Sequence, residues 1–185
     1  ATTVVEVERA EGTVNFGLTS FVYDGSPHTP TAYIVEEPES ACVIAEAPIG
    51  PGAGSYSITA SCNGTNFFAN GSSTSVIEKA SQSILFPAPN VARRLFAAFG
   101  TFEVSPSAQV EGASSANPIR YTSLSTDVCQ VFGSEVTMIA IGSCIVAADL
   151  DGNEIWNAAP QVTIDIELSS DPSVARIFVH GFETP

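Results

Sequence analysis

Residues 54–62 read Gly-Ser-Tyr-Ser-Ile-Thr-Ala-Ser-Cys, with an apolar or aromatic side chain at every second position from Tyr56 onward. Such alternation is typical of a half-buried β-strand, because successive strand side chains point to opposite faces of a sheet. Similar short alternating or apolar runs recur along the chain at the spacing of roughly 8–12 residues expected of a β-sandwich. Gly, Pro, Asn and Asp separate them. The sequence therefore predicts an all-β fold.

Fourteen strands are predicted along the chain. They are residues 3–9, 13–18, 31–35, 41–45, 54–62, 73–77, 83–86, 102–105, 119–123, 128–132, 135–139, 142–148, 162–168 and 175–179. Residues 91–99 (VARRLFAAF) have apolar positions near helical spacing, and this stretch is open to a helix, a strand or an extended loop.

A polar EKASQ stretch at residues 78–82 divides the chain into two predicted β-sandwich domains. The first domain is predicted to cover residues 12–79 and the second residues 80–168. Residues 1–11 then form an N-terminal extension, and residues 169–185 form a C-terminal tail or strand.

Acidic side chains dominate the charge. Asp and Glu number 20 against 6 Lys and Arg, which gives a formal net charge of −14 at pH 7. Nucleic acid is not expected as a partner, because neutralising phosphates requires a basic surface. Membrane insertion is not expected either. The longest apolar run, residues 136–148, is interrupted by Gly142 and Ser143 and is shorter than the roughly 20 residues of a membrane helix.

Four cysteines indicate the compartment: Cys42, Cys62, Cys129 and Cys144. The sequence contains no C-x-x-C pair, so disulfides are favoured over zinc. The first two cysteines fall in the first predicted domain and the last two in the second, so each pair is predicted to close its own domain. Together with a chain that starts at Ala1 without Met, this predicts a secreted or surface protein whose signal peptide has been removed.

Motifs in the first half resemble the bacterial Ig-like repeat of the YDG or mucin-binding (MBG) type. They are FVYDG at 21–25, GAGSYSITA at 52–60 and GTNF at 64–67. In that family a YDG turn opens the domain and a strand pair forms its second half. Cys42 and Cys62 are not a general feature of these repeats, so their pairing is predicted from spacing alone.

Motifs in the second half resemble a related bacterial Ig-like repeat. They are YTSLSTDVC at 121–129, AIGSCIVAA at 140–148 and WNAAP at 156–160. Together the two resemblances imply tandem Ig-like sandwiches of secreted or surface proteins, which are usually structural spacers or adhesive modules without catalysis.

No arrangement of residues predicts catalysis or a cofactor. His28 and His180 are interpreted as solvated loop residues, and the chain is not expected to be an enzyme. The most metal-like stretch is residues 149–154, where Asp149 and Asp151 are a weak calcium candidate. It lacks the spacing of an EF-hand loop, so a tight turn at Asp151-Gly152 is preferred and no metal is predicted. The acidic run at residues 36–39 is interpreted as a solvated loop.

Aromatic side chains leave one binding function open. Trp156 and the Phe67-Phe68 pair are candidates either for stacking on sugars or for core packing, and packing is the commoner role. Two stretches that fit an N-glycosylation pattern, residues 63–65 and 70–72, are interpreted as turns.

The two terminal segments suggest an assembly function. Both read as strands, and their candidate assembly residues are Thr3, Val4, Val5, Val7, Ile177, Phe178 and Val179. A strand without a place in its own domain can pair with another copy and build a head-to-tail filament, or it can add an edge strand to its own chain. The predicted function is a structural subunit of a bacterial surface filament whose partners are copies of itself. The alternative is a monomeric adhesin that binds host or matrix glycans or mucin.

Overall fold

The computed structural model describes residues 8–89 and 91–171, and it confirms the all-β prediction: these residues form sixteen strands and no helix. The chain divides into two compact units, Ala1–Ala80 and Ser81–Pro185. The described residues therefore include no helix that could cross a membrane.

The described residues of the first unit form seven strands, and two long strands lie at its centre. The strands are β1 (Ala10–Glu11), β2 (Val14–Phe16), β3 (Ser20–Val22), β4 (Ala32–Ile34), β5 (Cys42–Ile44), β6 (Gly54–Asn63) and β7 (Phe67–Glu78). Five of them form one sheet in the order β1-β7-β6-β5, with β3 also on β7, while β2 and β4 form a second, smaller sheet. The sequence alternation of β6 appears as burial: Ile58, Ala60 and Cys62 are buried and the residues between them are exposed. This buried row packs with Ile34 and Phe16 of the smaller sheet, so the unit is a two-layer sandwich.

Residues 70–72 were predicted to form a turn, and this prediction is wrong. Asn70, Gly71 and Ser72 lie inside β7, each opposite a residue of β6. A Cβ atom on Gly71 would lie 3.0 Å from the Cβ of Val14, which shows how closely β2 crosses over β7 at this point. The glycine that suggested a turn is therefore explained by a close approach between the two sheets.

The described residues of the second unit form nine strands. They are β8 (Ser83–Leu85), β9 (Arg93–Leu95), β10 (Thr101–Glu103), β11 (Gln109–Glu111), β12 (Arg120–Ser123), β13 (Cys129–Phe132), β14 (Glu135–Met138), β15 (Gly142–Asp149) and β16 (Val162–Ser169). Four form one sheet in the order β12-β15-β16-β9, three form a second in the order β10-β14-β13, and β8 pairs with β11. The stretch at 91–99 that was open to helix or strand contains the strand β9.

Buried side chains from both main sheets of the second unit form one core. Val136 and Met138 of β14 lie against Val146 of β15 and Ile166 of β16. On β16 the exposed residues alternate with the buried Ile164, Ile166 and Leu168, as expected for a sheet with one wet face. The second unit is therefore also a sandwich, and the prediction of tandem Ig-like sandwiches is confirmed at the level of fold class.

Two disulfides lie one in each unit, and they differ in position. Cys42 and Cys62 are direct cross-strand partners on β5 and β6, with Cα atoms 4.1 Å apart. Cys129 on β13 and Cys144 on β15 join the two facing sheets, with Cα atoms 5.6 Å apart. Closing chain loops of this size lowers the entropy of the unfolded chain by an amount worth about 3 kcal/mol each.

Candidate interaction surfaces

The N-terminal segment joins the first unit at the very start of its longest strand. β1 runs parallel to β7, with Ala10 opposite Phe67 and Glu11 opposite Phe68. The Ala10 N–H donates to the Asn66 carbonyl at 2.9 Å, and the Gly12 N–H donates to the Phe68 carbonyl at 2.8 Å. The last two residues of the predicted 1–11 extension therefore belong to the sheet of the first unit.

This register leaves Glu8 and Arg9, the described residues before Ala10, without a partner residue on β7. Two parallel strands advance together, so each residue upstream of Ala10 corresponds to one upstream of Phe67, where β7 begins. There the chain is already in the tight turn that links β6 to β7, closed by the Gly64 N–H and the Phe67 carbonyl. The Arg9 guanidinium contacts this turn, 3.3 Å from the Gly64 carbonyl. The candidate assembly residues Thr3, Val4, Val5 and Val7 lie outside the described residues.

Three loops meet at one end of the second unit. The loop before β10 is tied to the end of β14 by the Phe99 N–H, which donates to the Met138 carbonyl. The loop before β15 is tied to the one before β13, since the Ile139 N–H donates to the Val128 carbonyl. The Leu124 N–H, just after β12, donates to the Ile145 carbonyl near the start of β15.

Four large apolar side chains are exposed at this end, which we call the apolar end. They are Leu95 (45% exposed), Phe99 (76%), Leu124 (55%) and Ile141 (55%). Leu95 pairs with Ser169, the last residue of β16. The preceding residue, Leu168, lies opposite Gly142, where β15 begins, so Leu95 is at the same end as the loop before β15. Single exposed apolar residues are ordinary, whereas several on adjoining loops are typical of an interaction surface.

Phe99 is unusual in its backbone as well as in its exposure. Its φ is 58°, in the left-handed region that a bulky residue rarely adopts. Holding such a residue there costs roughly 1–3 kcal/mol, and this strain is typical of functional sites. Residues 91–99 were predicted as one element, so Phe99 was not singled out. The chain turns just before β10, where the Gly100 N–H donates to the Ala97 carbonyl.

The opposite end of the second unit contains a network of buried polar groups. The Gln82 amide nitrogen donates to the carbonyls of Asp151 and Asn157 at 2.9 and 2.7 Å, and its amide oxygen accepts from the Ser115 N–H. The Ser115 hydroxyl donates to the same Asp151 carbonyl at 2.8 Å. The donors and acceptors of these buried side chains are thereby satisfied, and the loop at residues 149–157 is fixed in place.

The loop at residues 149–157 does not contain the tight turn that was predicted at Asp151-Gly152. Asp149 accepts a hydrogen bond from the Gln161 amide at 2.8 Å, and Asp151 pairs with the Arg120 guanidinium at 2.9 Å. Gly152 does not have the positive φ of the predicted tight turn, and its loop is irregular. Among the described residues, no three His, Cys, Asp or Glu side chains lie close enough together to hold a metal ion.

The acidic run at 36–39, interpreted as a solvated loop, has structural contacts. Glu36 accepts the Thr13 N–H at 2.8 Å, and Glu37 accepts the Thr65 N–H at 2.9 Å. Glu46, in the next loop, accepts the Thr59 N–H at 2.7 Å. These backbone hydrogen bonds hold the pKa of each of the three carboxyl groups below its ordinary value, because they stabilise the charged form.

Other candidate residues lie at different depths in their units. His28 is not a solvated loop residue: it stacks on Phe21 with ring centroids 4.6 Å apart, and its side chain is only 15% exposed. Phe67 packs against the core of the first unit, whereas Phe68 remains partly exposed. Trp156 is half-buried. His180, Ile177, Phe178 and Val179 lie outside the described residues.

A second exposed aromatic lies beside a groove in the second unit. Phe132, at the end of β13, is 90% exposed. The adjacent turn residues Gly133 and Ser134 face Arg120 and Tyr121 of β12 across a cavity of about 420 Å³. Sequence reasoning missed this site because the groove joins residues from separate strands.

Comparison with known proteins adds little to these observations. No family model matches the chain, and no curated protein matches it. Among solved structures, the chain is similar to human protocadherin-24 EC1-2, at 10% identity and a TM-score of 0.34 over 87% of this chain and 100% of that one. A second crystal form of the same protein gives 12% identity and a TM-score of 0.34 over 86% and 99% of the two chains. A TM-score this low carries no argument about fold or function.

Proposed function

We propose that this chain is a non-enzymatic extracellular structural module that assembles head to tail with copies of itself through residues 1–7. The observation that carries the proposal is the parallel register of β1 on β7. Because β7 begins at Phe67, it offers no continuing edge to the residues before Ala10. The sequence before β1 contains the apolar, β-branched residues Val4, Val5 and Val7. A segment of this composition is suited to complete a sheet in a neighbouring copy.

The two disulfides support an extracellular location. All four cysteines are paired, and each bond lies within one unit. Disulfides of this kind form and persist in oxidising compartments. Host or matrix glycans as partners, and membership of the bacterial Ig-like repeats that the sequence resembles, stay predictions.

Adhesion is the second candidate function. Phe132 favours it, because an exposed aromatic ring offers a face on which a sugar can stack, and the next two residues, Gly133 and Ser134, line a groove. In this case we expect the chain to be a monomer, and we expect Phe132→Ser to abolish glycan or mucin binding.

The assembly proposal is tested by size-exclusion chromatography and negative-stain microscopy of three chains. The intact chain is expected to form filaments or large oligomers. A chain that starts at Glu8 keeps β1 and both units, and it is expected to remain monomeric with an unchanged circular dichroism spectrum. The substitutions V5D and V7D in the full-length chain should have the same effect, since they place charge on one face of the donor segment.

The matched control is E6Q, which changes the residue between the two valines without adding charge. It is expected to assemble like the intact chain. Monomers from the intact chain, or filaments from the chain that starts at Glu8, contradict the proposal and direct attention to the adhesion candidate.

A further inference from the structure

The apolar end lies where the described chain stops. Ser169 ends β16, and its carbonyl accepts the Phe96 N–H at 2.8 Å, next to Leu95. Asp171, the last described residue, follows two positions later, so the rest of the sequence is tethered at the end that exposes Leu95, Phe99, Leu124 and Ile141.

The sequence of that segment fits such a surface. Val174, Ala175, Ile177, Phe178 and Val179 make it the most apolar stretch after β16. Ile177 is the sixth residue after Asp171, and a chain of that length reaches up to about 20 Å. This reach is about four times the spacing between neighbouring strands of a sheet.

We propose that residues 174–179 dock on the apolar end of their own second unit. Burying Phe99, Leu124 and Ile141 under Ile177, Phe178 and Val179 removes apolar surface from water on both sides. A segment tethered this close has an effective concentration in the millimolar range, so its own unit competes strongly against binding by a second copy. The strained φ of Phe99 is then explained, because it turns the ring outward to where the segment arrives.

One consequence rests on the proposed function: a C-terminal segment held by its own unit cannot donate a strand, so residues 1–7 are the donor. The docking itself does not depend on assembly. The docking is therefore tested in the full-length chain that carries V5D and V7D. Under the proposed function, we expect this chain to be monomeric.

Trypsin reports docking directly, because Arg176 lies inside the proposed segment. Cleavage after Arg176 releases residues 177–185, which mass spectrometry detects. If cleavage requires undocking, its rate follows the undocked fraction. We expect Phe99→Ser and Ile141→Ser each to accelerate this cleavage by about tenfold, the effect of losing one modest apolar contact. Phe178→Ser should have the same effect from the other side of the contact.

Phe132→Ser is the matched control, since it removes a Phe that is even more exposed than Phe99 and lies at the other end of the same unit. It is expected to leave the cleavage rate unchanged. All variants are first compared by thermal unfolding, so that a loss of fold is recognised.

Two results overturn the proposal. Equal cleavage rates in the parent chain and in the Phe99 and Ile141 variants mean that nothing docks there. Protection that disappears on dilution of the parent chain means that a second copy supplies the segment. If the intact chain forms no filaments but Arg176 is still protected from trypsin, the proposed function is overturned and the docking proposal stands.

Discussion

Gly152 shows what a single residue contributes to the second unit. A Cβ atom added there would collide with the Trp156 carbonyl oxygen and lie 2.7 Å from the Ala158 nitrogen, both backbone atoms. The backbone of the loop at Gly152 can therefore pack against the backbone at residues 156–158 only because residue 152 has no side chain.

We expect Gly152→Ala to destabilise the second unit by about 1–3 kcal/mol, as overpacking usually does. Urea unfolding followed by circular dichroism measures this. Gly52→Ala is the control: its Cβ would meet only the Tyr56 hydroxyl at 3.6 Å, an ordinary contact. Equal stability of Gly152→Ala and the unsubstituted chain contradicts this account of the loop.

At this scale the sequence indicates residue types better than their roles. Asp151-Gly152 carries a hairpin signal, yet the loop takes its shape from the distant Gln82 and Ser115. The contacts of Glu37 with the Thr65 and Asn66 N–H groups could not be predicted from the sequence either, because nearly thirty residues separate the partners. Such pairings depend on how strands are arranged, which local patterns do not specify.

Glutamate carboxylates that accept backbone N–H groups connect segments of the first unit, and they make its stability depend on pH. The pKa of Glu37 is lowered by hydrogen bonds from the Thr65 and Asn66 N–H groups, and those of Glu36 and Glu46 are lowered in the same way. A carboxyl group whose pKa is lower in the folded state stabilises the fold above its unfolded pKa of about 4.3. That contribution is lost as the pH falls through the folded-state pKa.

We therefore expect the free energy of unfolding of the first unit to fall as the pH is lowered from 7 towards 3. Glu37→Gln should lower stability at pH 7 and flatten this pH dependence, since it removes the charge that the N–H groups stabilise. Urea titrations at several pH values measure both effects. Glu39→Gln, an exposed residue of the same loop, is expected to behave like the unsubstituted chain. An identical pH profile for Glu37→Gln contradicts the structural role of this carboxylate.

Elements with strong alternation were predicted closely. β6, β15 and β16 lie within one residue of the predicted ranges at either end. β7 was predicted too short, because Asn70 and Gly71 have low strand propensity and only their pairing with β6 keeps them extended. β11 was missed, since its three residues form a strand only through pairing with β8.

For the whole molecule, the net charge of −14 opposes any contact between copies. Backbone pairing and apolar contacts are short-ranged, whereas this repulsion extends over the Debye length. That length falls from about 30 Å at 0.01 M salt to about 8 Å at 0.15 M. Light scattering should therefore show more and longer assemblies of the intact chain as NaCl rises between these concentrations. Assembly that weakens over the same range contradicts a self-assembling acidic module.

The parallel pairing of β9 with β16 has a mechanical consequence. β9 lies near the start of the second unit and β16 near its end, and they are side-by-side neighbours joined from Arg93 opposite Glu167 to Leu95 opposite Ser169. A pulling force that enters through one strand and leaves through the other acts along both, so their hydrogen bonds and the Arg93–Glu167 ion pair are sheared together. Antiparallel neighbours pulled from one end open bond by bond instead. The pairing therefore resists tension applied between these two strands, which is the load that the proposed fibre would carry.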